Sequence, residues 1–261
     1  MQRYFVSPEQ MTDTTVCIEG EDVHHLVRVM RCKPGDRIIC SNGCGRDVLA
    51  VIAAIQESSV TANIIQELEE HRELPVEVTV AQGLPKGDKM DWVVQKCTEM
   101  GVRRIIPFTS SRTVVLLNEE KGARRRNRWQ KIAKEAAEQA QRSVIPVIEP
   151  PVSWLQLLAL EEQFDAALLA YEGEGTISLK RALEPTKPGS RILLVIGPEG
   201  GFDPSEVEQA VAQGMIPISL GKRILRTETA ALYALAAISY EYESGHFTEQ
   251  GMYKETTSTA R

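Results

Sequence analysis

Two loops near the C-terminal end combine glycine with charged residues in a way that could hold a small molecule. The first, GPEGG at residues 197–201, directly follows the apolar run RILLVI. The second, GKRILRTETA at residues 221–230, places Arg226 and Glu228 before a long apolar stretch. Glycine accepts positive φ angles and lets a ligand approach the main chain closely. Both loops therefore predict a binding site beside the core.

The residues of the first loop indicate which ligands this site would exclude. The loop has neither the G-x-G-x-x-G pattern nor the Lys-Ser/Thr pair of a P-loop. Glu199 and Asp203 would repel a phosphate, so a neutral or cationic ligand is favoured. Asp203, Pro204 and Glu206 also form the capping pattern of a helix start. On these residues alone, a tight turn before a helix is an equally good interpretation.

Helix capping does not fully explain the second loop. Thr227 or Thr229 is expected to cap the following helix, whose apolar residues enter the core. Capping accounts for one threonine and leaves Arg226 and Glu228 unexplained. A third loop, AYEGEG at residues 170–175, again places glycines after an apolar strand.

Strands that alternate with helices position these loops. After Pro75, helical stretches separate the apolar strands VEVTVAQ, RRIIPFT, IPVIEP, DAALLAY, RILLVIG and IPISLG. This alternation predicts an α/β fold with a mostly parallel sheet covered on both faces. In such a sheet, ligands bind beyond the carboxyl ends of the strands, which is where the three loops lie.

The first seventy residues have a different pattern of predicted secondary structure. Short strands rich in Val, Ile and Thr, with a hairpin signal at Asn42-Gly43, predict a small β-barrel, and one helix is expected in EDVHHLVRVMR. We place the barrel at residues 1–72 and the α/β domain at residues 73–245. Residues 246–261 contain too little apolar surface to pack and are expected to form a loose tail.

Composition narrows the class of protein further. The net charge of −6 argues against a uniformly basic coat, and neither a signal peptide nor a membrane span is visible. Five cysteines without a signal predict reduced thiols in a cytoplasmic protein. Cys40 and Cys44 lack a second cysteine pair, so we predict no metal.

One segment concentrates positive charge. Residues 121–142 contain eight Lys or Arg against two Glu, which could contact RNA phosphates or could form an ordinary solvated helix face. Arg103, Arg104 and Arg112 are expected to add to this patch. His24 and His25 are read as packing groups. The residues predicted to contact RNA are Arg28, Arg31, Arg112, Arg124, Arg125, Arg126 and Gln139.

Four blocks of the chain, taken in order, resemble the RsmE family of methyltransferases. They are HHLVRVMR, LPKGDKMDWVVQKCTEMGV, EAAEQAQRSVIP, and IGPEGGFDPSE followed by LGKRILRTETA. The family methylates uridine N3 of bacterial 16S ribosomal RNA and belongs to the SPOUT superfamily. The resemblance implies a PUA-like barrel followed by an α/β domain with a C-terminal trefoil knot. It also implies a homodimer with its site at the subunit interface.

The resemblance implies that the three loops hold S-adenosylmethionine, whose cationic sulfonium and lack of phosphate suit the acidic loop. The cofactor-binding residues predicted on this basis are Leu169, Ala170, Tyr171, Ile196, Gly197, Pro198, Glu199, Gly200, Gly201, Leu220, Gly221, Ile224, Leu225, Arg226, Thr227, Thr229 and Ala230. The expected substrate is 16S ribosomal RNA within the small ribosomal subunit.

Methylation at uridine N3 requires removal of a proton, so a base and anion-stabilising donors are needed. Glu138 and Arg142 are four residues apart and are expected to share a helix face, although a plain helical ion pair fits the spacing equally well. The resemblance to the family motif favours a catalytic role for these two residues. We predict that Arg142 stabilises the uridine anion, that Glu138 or Glu228 accepts the proton, and that Arg226 steers RNA.

Two alternatives remain open at the level of sequence. One is a methyltransferase of the same class that acts on another RNA base. The other is a non-catalytic RNA-binding or ribosome-assembly protein that kept the fold. Intact glycine loops together with an intact RTETA favour the enzyme.

Overall fold

In the computed structural model, which describes residues 1–69, 72–115, 118–160 and 163–243, the N-terminal strands form one mixed sheet. Its strands are β1 (Arg3–Phe5), β2 (Thr15–Glu19), β3 (Arg37–Ser41), β4 (Asp47–Ile55) and β5 (Ser59–Leu68). They run in the order β1-β3-β4-β5-β2, with β1 parallel to β3 and the other pairs antiparallel. The sheet is curled and open rather than a closed barrel, with a single bridge from Met11 to Val16 near the open side.

Alternating residues build the core of this sheet. Val16 and Ile18 of β2, and Ile38 and Cys40 of β3, are almost fully buried, while Cys17 and Ile39 between them are more exposed. The predicted Asn42-Gly43 hairpin is confirmed, because it joins β3 to β4. The predicted helix is also present, as α1 (Glu21–His24) continued by a π-helical turn (His25–Val29).

The C-terminal part is a parallel sheet of eight strands. They are β6 (Glu77–Gly83), β7 (Arg104–Thr109), β8 (Val147–Ile148), β9 (Val152–Ser153), β10 (Ala166–Ala170), β11 (Ile177–Ser178), β12 (Arg191–Ile196) and β13 (Ile216–Ser219). Their order is β11-β13-β10-β12-β6-β7-β8, with β9 also paired to β7. Each of the six predicted strands is present.

Helices cover both faces of the parallel sheet, as predicted. They are α2 (Lys89–Glu99), α3 (Glu119–Gln139), α4 (Trp154–Leu158), α5 (Leu179–Leu183), α6 (Pro204–Ala212) and α7 (Thr227–Glu243). Along β6, Val78 and Val80 join one buried cluster and Ala81 joins another on the opposite face. This period of two is what a strand buried on both sides requires.

The last helix begins away from the strand that precedes it. β13 lies outside β10, yet Thr227 at the start of α7 hydrogen-bonds to Gly197 after β12 and to Gln82 of β6. The chain therefore returns across the strand ends before α7 enters the core. A trefoil knot would need such a return, and the knot itself stays a prediction.

The predicted fold class is confirmed in both parts, as a curled N-terminal sheet followed by a parallel α/β domain. The division at residue 72 stays a prediction, and the predicted tail at residues 246–261 lies outside the described residues. No helix among the described residues is long and apolar enough to cross a membrane. Within the same residues there is no group of three potential metal ligands from His, Cys, Asp or Glu.

Candidate functional site

The loops after β10, β12 and β13 surround a cavity of about 450 Å³. These three strands are neighbours and parallel, so their carboxyl ends meet at one edge of the sheet. Of the predicted cofactor-binding residues, those that line the cavity are Ala170, Tyr171, Ile196, Gly197, Pro198, Glu199, Gly200, Gly201, Leu220, Gly221, Ile224, Leu225, Arg226, Thr227 and Ala230. Leu169 instead lies fully buried in the sheet, and Thr229 is exposed on α7.

Glycine is required in this cavity wall for two different reasons. Gly201 has a φ of +67°, which side chains rarely adopt. Gly200 is tightly packed, because a Cβ there would lie 3.0 Å from the Cβ of Arg112. Gly83, the last residue of β6, was not among the predicted residues, and its Cβ would lie 2.4 Å from the nitrogen of Pro198. Close approach of two loops, which sequence does not display, explains Gly83.

Several lining residues were missing from the predicted cofactor set. They are Lys89, Arg112, Glu172, Phe202, Ser219 and Arg223. Phe202 stacks almost parallel to Phe108, with 6.3 Å between ring centroids, and anchors the end of the GPEGG loop in the core. Lys89 begins α2 in the second sequence block, KGDKM, whose position after a strand end is the signal that could have placed it here.

An ion pair joins α2 to the GPEGG loop. Lys89 Nζ lies 2.8 Å from Glu199 Oε1, which also accepts the backbone N–H of Lys86 at 3.1 Å. Burial acts to raise the pKa of Glu199, but the hydrogen bonds from Lys89 and Lys86 outweigh it and hold that pKa below its usual value. The hydrogen bond to Glu199 raises the pKa of Lys89. Both groups are therefore charged at neutral pH.

Glu228 is a carboxylate beside the cavity with one buried oxygen that makes no hydrogen bond within the described residues. Its side chain is 15% exposed, and its Oε2 lies 3.7 Å from Lys89 Nζ. That Oε2 is buried and has no hydrogen-bond partner within the described part of the chain. A buried oxygen without a partner is costly unless something else binds it. Glu228 thus places a buried carboxylate oxygen next to Lys89, which lines the cavity.

The predicted capping role of Thr227 is wrong. Its hydroxyl donates to the carbonyl of Gly197 and accepts from Nε2 of Gln82 at 2.7 Å, so it joins two strand ends to α7. Thr229, the third residue of α7, is exposed. Arg226 is exposed and lines the cavity.

Arg142 and Glu138 do not share a helix face, and that prediction is wrong. α3 ends at Gln139, and Gln141 takes a φ of 58°, which turns the chain before Arg142. Arg142 is 2% exposed and donates to Glu73 and to the carbonyls of Thr98 and Val102. Its donors are occupied and it does not line the cavity.

Glu138 likewise faces the N-terminal sheet rather than the cavity. Its Oε1 accepts the backbone N–H of Phe5 at 3.4 Å and lies 3.5 Å from Lys134 Nζ. Burial raises its pKa, partly offset by Lys134. Of the two predicted proton acceptors, only Glu228 is beside the cavity.

The residues predicted to contact RNA lie at several places. Arg28 and Arg31 are exposed on the N-terminal part, and Arg124 is exposed on α3, where it pairs with Glu120 at 3.0 Å. Arg126 is partly structural, since its Nε donates to the Ile148 carbonyl at 2.8 Å. Gln139 is exposed at the end of α3.

The arginines near β7 do not form one patch. Arg103 and Arg104 lie at the start of this strand, whereas Arg112 lies beyond its end. Arg112 lines the cavity, donates to the Gly200 carbonyl at 3.2 Å and pairs with Asp203 at 3.3 Å. Its described contacts hold the GPEGG loop.

Two family models match the chain. One describes an RNA methyltransferase domain and covers residues 72–239, and the other describes an RNA methyltransferase PUA domain and covers residues 18–65. Together with the cavity at the strand ends, these matches define an RNA methyltransferase.

Individual relatives identify the family within this class. Ribosomal RNA small subunit methyltransferase E of Bacillus subtilis is 45% identical over 250 residues, which cover 93% of this chain and 98% of that protein. The Synechocystis protein of the same name is 35% identical over 93% of this chain and 78% of its own length. The chain therefore belongs to the ribosomal RNA small subunit methyltransferase E family, and the resemblance to RsmE is confirmed.

A solved structure supports the same assignment. Ribosomal RNA small subunit methyltransferase E from Neisseria gonorrhoeae, bound to S-adenosylmethionine, superposes with a TM-score of 0.82 at 32% identity. The match covers 93% of this chain and 98% of that one.

Proposed function

We propose that this enzyme methylates N3 of a uridine in 16S ribosomal RNA with S-adenosylmethionine as the methyl donor. The observation that carries the proposal is a buried carboxylate oxygen beside a glycine-lined cavity. Glu228 Oε2 faces Lys89 Nζ at 3.7 Å and makes no hydrogen bond within the described residues. A methyl donor needs such a cavity, and a protonated ring nitrogen needs such a base. The proposed setting is the small ribosomal subunit in the cytoplasm.

Mass spectrometry of 16S RNA from a strain lacking the gene tests the proposal. Loss of one 3-methyluridine, restored by the parent gene, is the expected result. Loss of a different methylated base would point to another RNA target, and an unchanged nucleoside profile would point to a non-catalytic RNA-binding protein.

The residues present fit S-adenosylmethionine. The cavity backbone at Gly197, Gly200 and Gly201 can approach a nucleoside closely, and no P-loop lysine or other phosphate-binding motif is present in this loop. When bound, the cofactor supplies an electrophilic methyl group. The chain's own task is to orient the two reactants and to remove the N3 proton.

In the mechanism we propose, Glu228 accepts that proton and the nitrogen then attacks the methyl group directly. Arg226, exposed at the cavity, steers the RNA and balances negative charge on the uracil ring. No cysteine is placed to form an intermediate on α2, because Cys97 is fully buried and burial raises the pKa of its thiol.

Gly201→Val is expected to weaken S-adenosylmethionine binding roughly tenfold or more, because the branched side chain strains a positive φ and fills ligand space. Calorimetry on the folded variant measures the affinity. Gly189→Val is the matched control, since Gly189 also has a positive φ and open space, but it lies at the start of β12, opposite the cavity. If both variants bind S-adenosylmethionine equally tightly, the GPEGG loop is not part of the binding site.

The exposed face of α3 is the proposed RNA-binding surface. Lys121, Arg124, Arg128 and Lys131 follow helical spacing and are all exposed. Lys131 lies 3.1 Å from Glu21 of α1, so this face reaches the N-terminal part. Several of these cations also pair with carboxylates, and these acidic neighbours reduce the positive potential of this helix face.

Replacing Lys121 and Arg124 with Ala is expected to weaken RNA binding and to lower its salt slope by roughly 0.7–0.9 for each lost phosphate contact. Filter binding across a salt series measures the slope. Lys180→Ala with Arg181→Ala provides a control with the same charge change on exposed α5, near the opposite edge of the sheet. If the salt slope stays as steep as the parent's, these side chains are only solvated and do not contact RNA phosphates.

We also propose that the enzyme is a homodimer. Tyr233 and Tyr240 are exposed on one face of α7, at 44% and 75%, and Ile224 beside the cavity is 84% exposed. Exposed large apolar side chains on one helix face favour burial against a second copy. Sedimentation analysis of the parent and of Tyr233→Glu tests this, and a monomeric parent would contradict it.

A further inference from the structure

The third sequence block, EAAEQAQRSV, ends in a segment that lies between the two parts of the molecule. Ser143 Oγ donates to Asp47 Oδ2 of the N-terminal sheet at 2.7 Å, and Ser41 Oγ donates to the Ser143 carbonyl at 3.1 Å. On its other side, the N–H of Ser143 donates to Glu73 at 3.1 Å. We call Arg3, Ser41, Asp47, Glu73, Arg142 and Ser143 the interdomain network.

The interdomain network is buried and ionic. Arg3 pairs with Asp47, with side chains 2% and 3% exposed, and Arg142 pairs with Glu73 at 2% and 25%. Arg3 Nε and Asp47 Oδ1 are buried without hydrogen-bond partners among the described residues. Apolar residues of similar volume often stabilise such a position at least as well as an ion pair. Stability alone therefore does not explain the network, whereas directional bonds that fix one orientation do.

A second group of contacts holds the N-terminal part from the side of α3. Lys134 Nζ lies 2.5 Å from Asp22 Oδ2, and Glu138 accepts the N–H of Phe5 at 3.4 Å. An antiparallel bridge between Cys44 and Val144 extends the attachment at Ser143 by one residue. The contacts from α3 and those at residues 143–144 are two separate places of attachment, which restrict the rotation of one body on another more than a single contact would.

We propose that the interdomain network holds the N-terminal sheet in one orientation, so that RNA docked on it presents its uridine to the cavity. Asp47 and Ser143 are then positioning residues, since neither lines the cavity. This inference rests on the proposed function, because it assigns the network a role in RNA presentation. Under this inference Arg142 and Glu138, which do not line the cavity, help to orient the N-terminal sheet.

Ser143→Ala removes one hydroxyl and leaves the ion pair of Asp47 with Arg3 in place. With 16S RNA as substrate, we expect kcat/KM for RNA to fall about tenfold, while calorimetry finds parent affinity for S-adenosylmethionine. Ser143→Thr, which keeps the hydroxyl, is expected to restore most of the loss. Arg46→Met is the matched control, since it breaks the exposed pair with Glu67 within the same sheet.

A second variant separates orientation from stability. Arg3→Met with Asp47→Leu replaces the buried pair by apolar side chains, and we expect both parts to stay folded at the assay temperature while kcat/KM for RNA falls. Parent kcat/KM in both this variant and Ser143→Ala would overturn the inference.

A failure of the proposed function would be recognised separately. It would appear as a parent protein that does not methylate the RNA at all. In that case calorimetric melting still tests the network: the parent is expected to melt in one transition and the apolar variant in two. One transition in both would overturn the inference independently of activity.

Discussion

Glu228→Gln is expected to slow methyl transfer to RNA by roughly 10²–10⁴-fold, the usual contribution of a positioned general base. The amide keeps the shape of the side chain but does not accept the N3 proton. Because Glu228 lies beside Lys89 at the cavity and is not among the lining residues, cofactor affinity should stay near the parent value. Single-turnover rates with saturating RNA and S-adenosylmethionine measure the chemical step.

Two other carboxylates serve as controls for this experiment. Glu138→Gln changes the other predicted proton acceptor, which faces the N-terminal sheet, and should leave the single-turnover rate within a few fold of the parent. Glu199→Gln breaks the ion pair with Lys89 and should act mainly on cofactor affinity. If Glu228→Gln transfers methyl groups at the parent rate, the base is elsewhere.

The cavity could be predicted from sequence because its parts obey a rule of topology. Parallel strands end at one edge, so glycine-rich loops after RILLVIG and IPISLG had to lie near each other once the alternating pattern was recognised. The glycines at 197, 200 and 201 carry their own signal, since few other residues tolerate a positive φ or a close approach. Most of the residues that line the cavity could be predicted from these two facts.

Contacts between distant segments could not be predicted in the same way. Lys89 meets Glu199 across 110 residues, and Gly83 meets Pro198 across a similar span. Neither pair shows any periodicity in the sequence. The open edge of the N-terminal sheet is a similar case, because alternating burial predicts strands and faces but leaves closure undetermined.

The misplacement of Arg142 has a specific physical cause. Helical spacing predicts a shared face only while the helix continues, and α3 ends three residues too early. The residue that binds Arg142 is Glu73, which is 69 positions away. A buried arginine next to a chain turn and an exposed arginine on a helix look alike in sequence, since the difference lies in tertiary partners.

Arg142→Ala is therefore expected to destabilise the protein by about 3–5 kcal/mol, the usual cost of removing one partner from a buried ion pair. The variant leaves Glu73 without its guanidinium, and the carbonyls of Thr98 and Val102 lose their donors. Chemical denaturation of parent and variant measures the difference. Arg124→Ala is the control, because its pair with Glu120 is about 80% exposed and should contribute little.

The same variant also decides between a structural and a catalytic role for Arg142. If burial determines its role, any loss of methyl transfer should accompany the loss of stability and should recover at low temperature or with a stabilising osmolyte. An Arg142→Ala protein that unfolds like the parent yet does not methylate RNA would instead support a direct role in catalysis. That outcome would require the guanidinium to leave Glu73 when RNA binds, since in this conformation all of its nitrogens already donate hydrogen bonds within the protein.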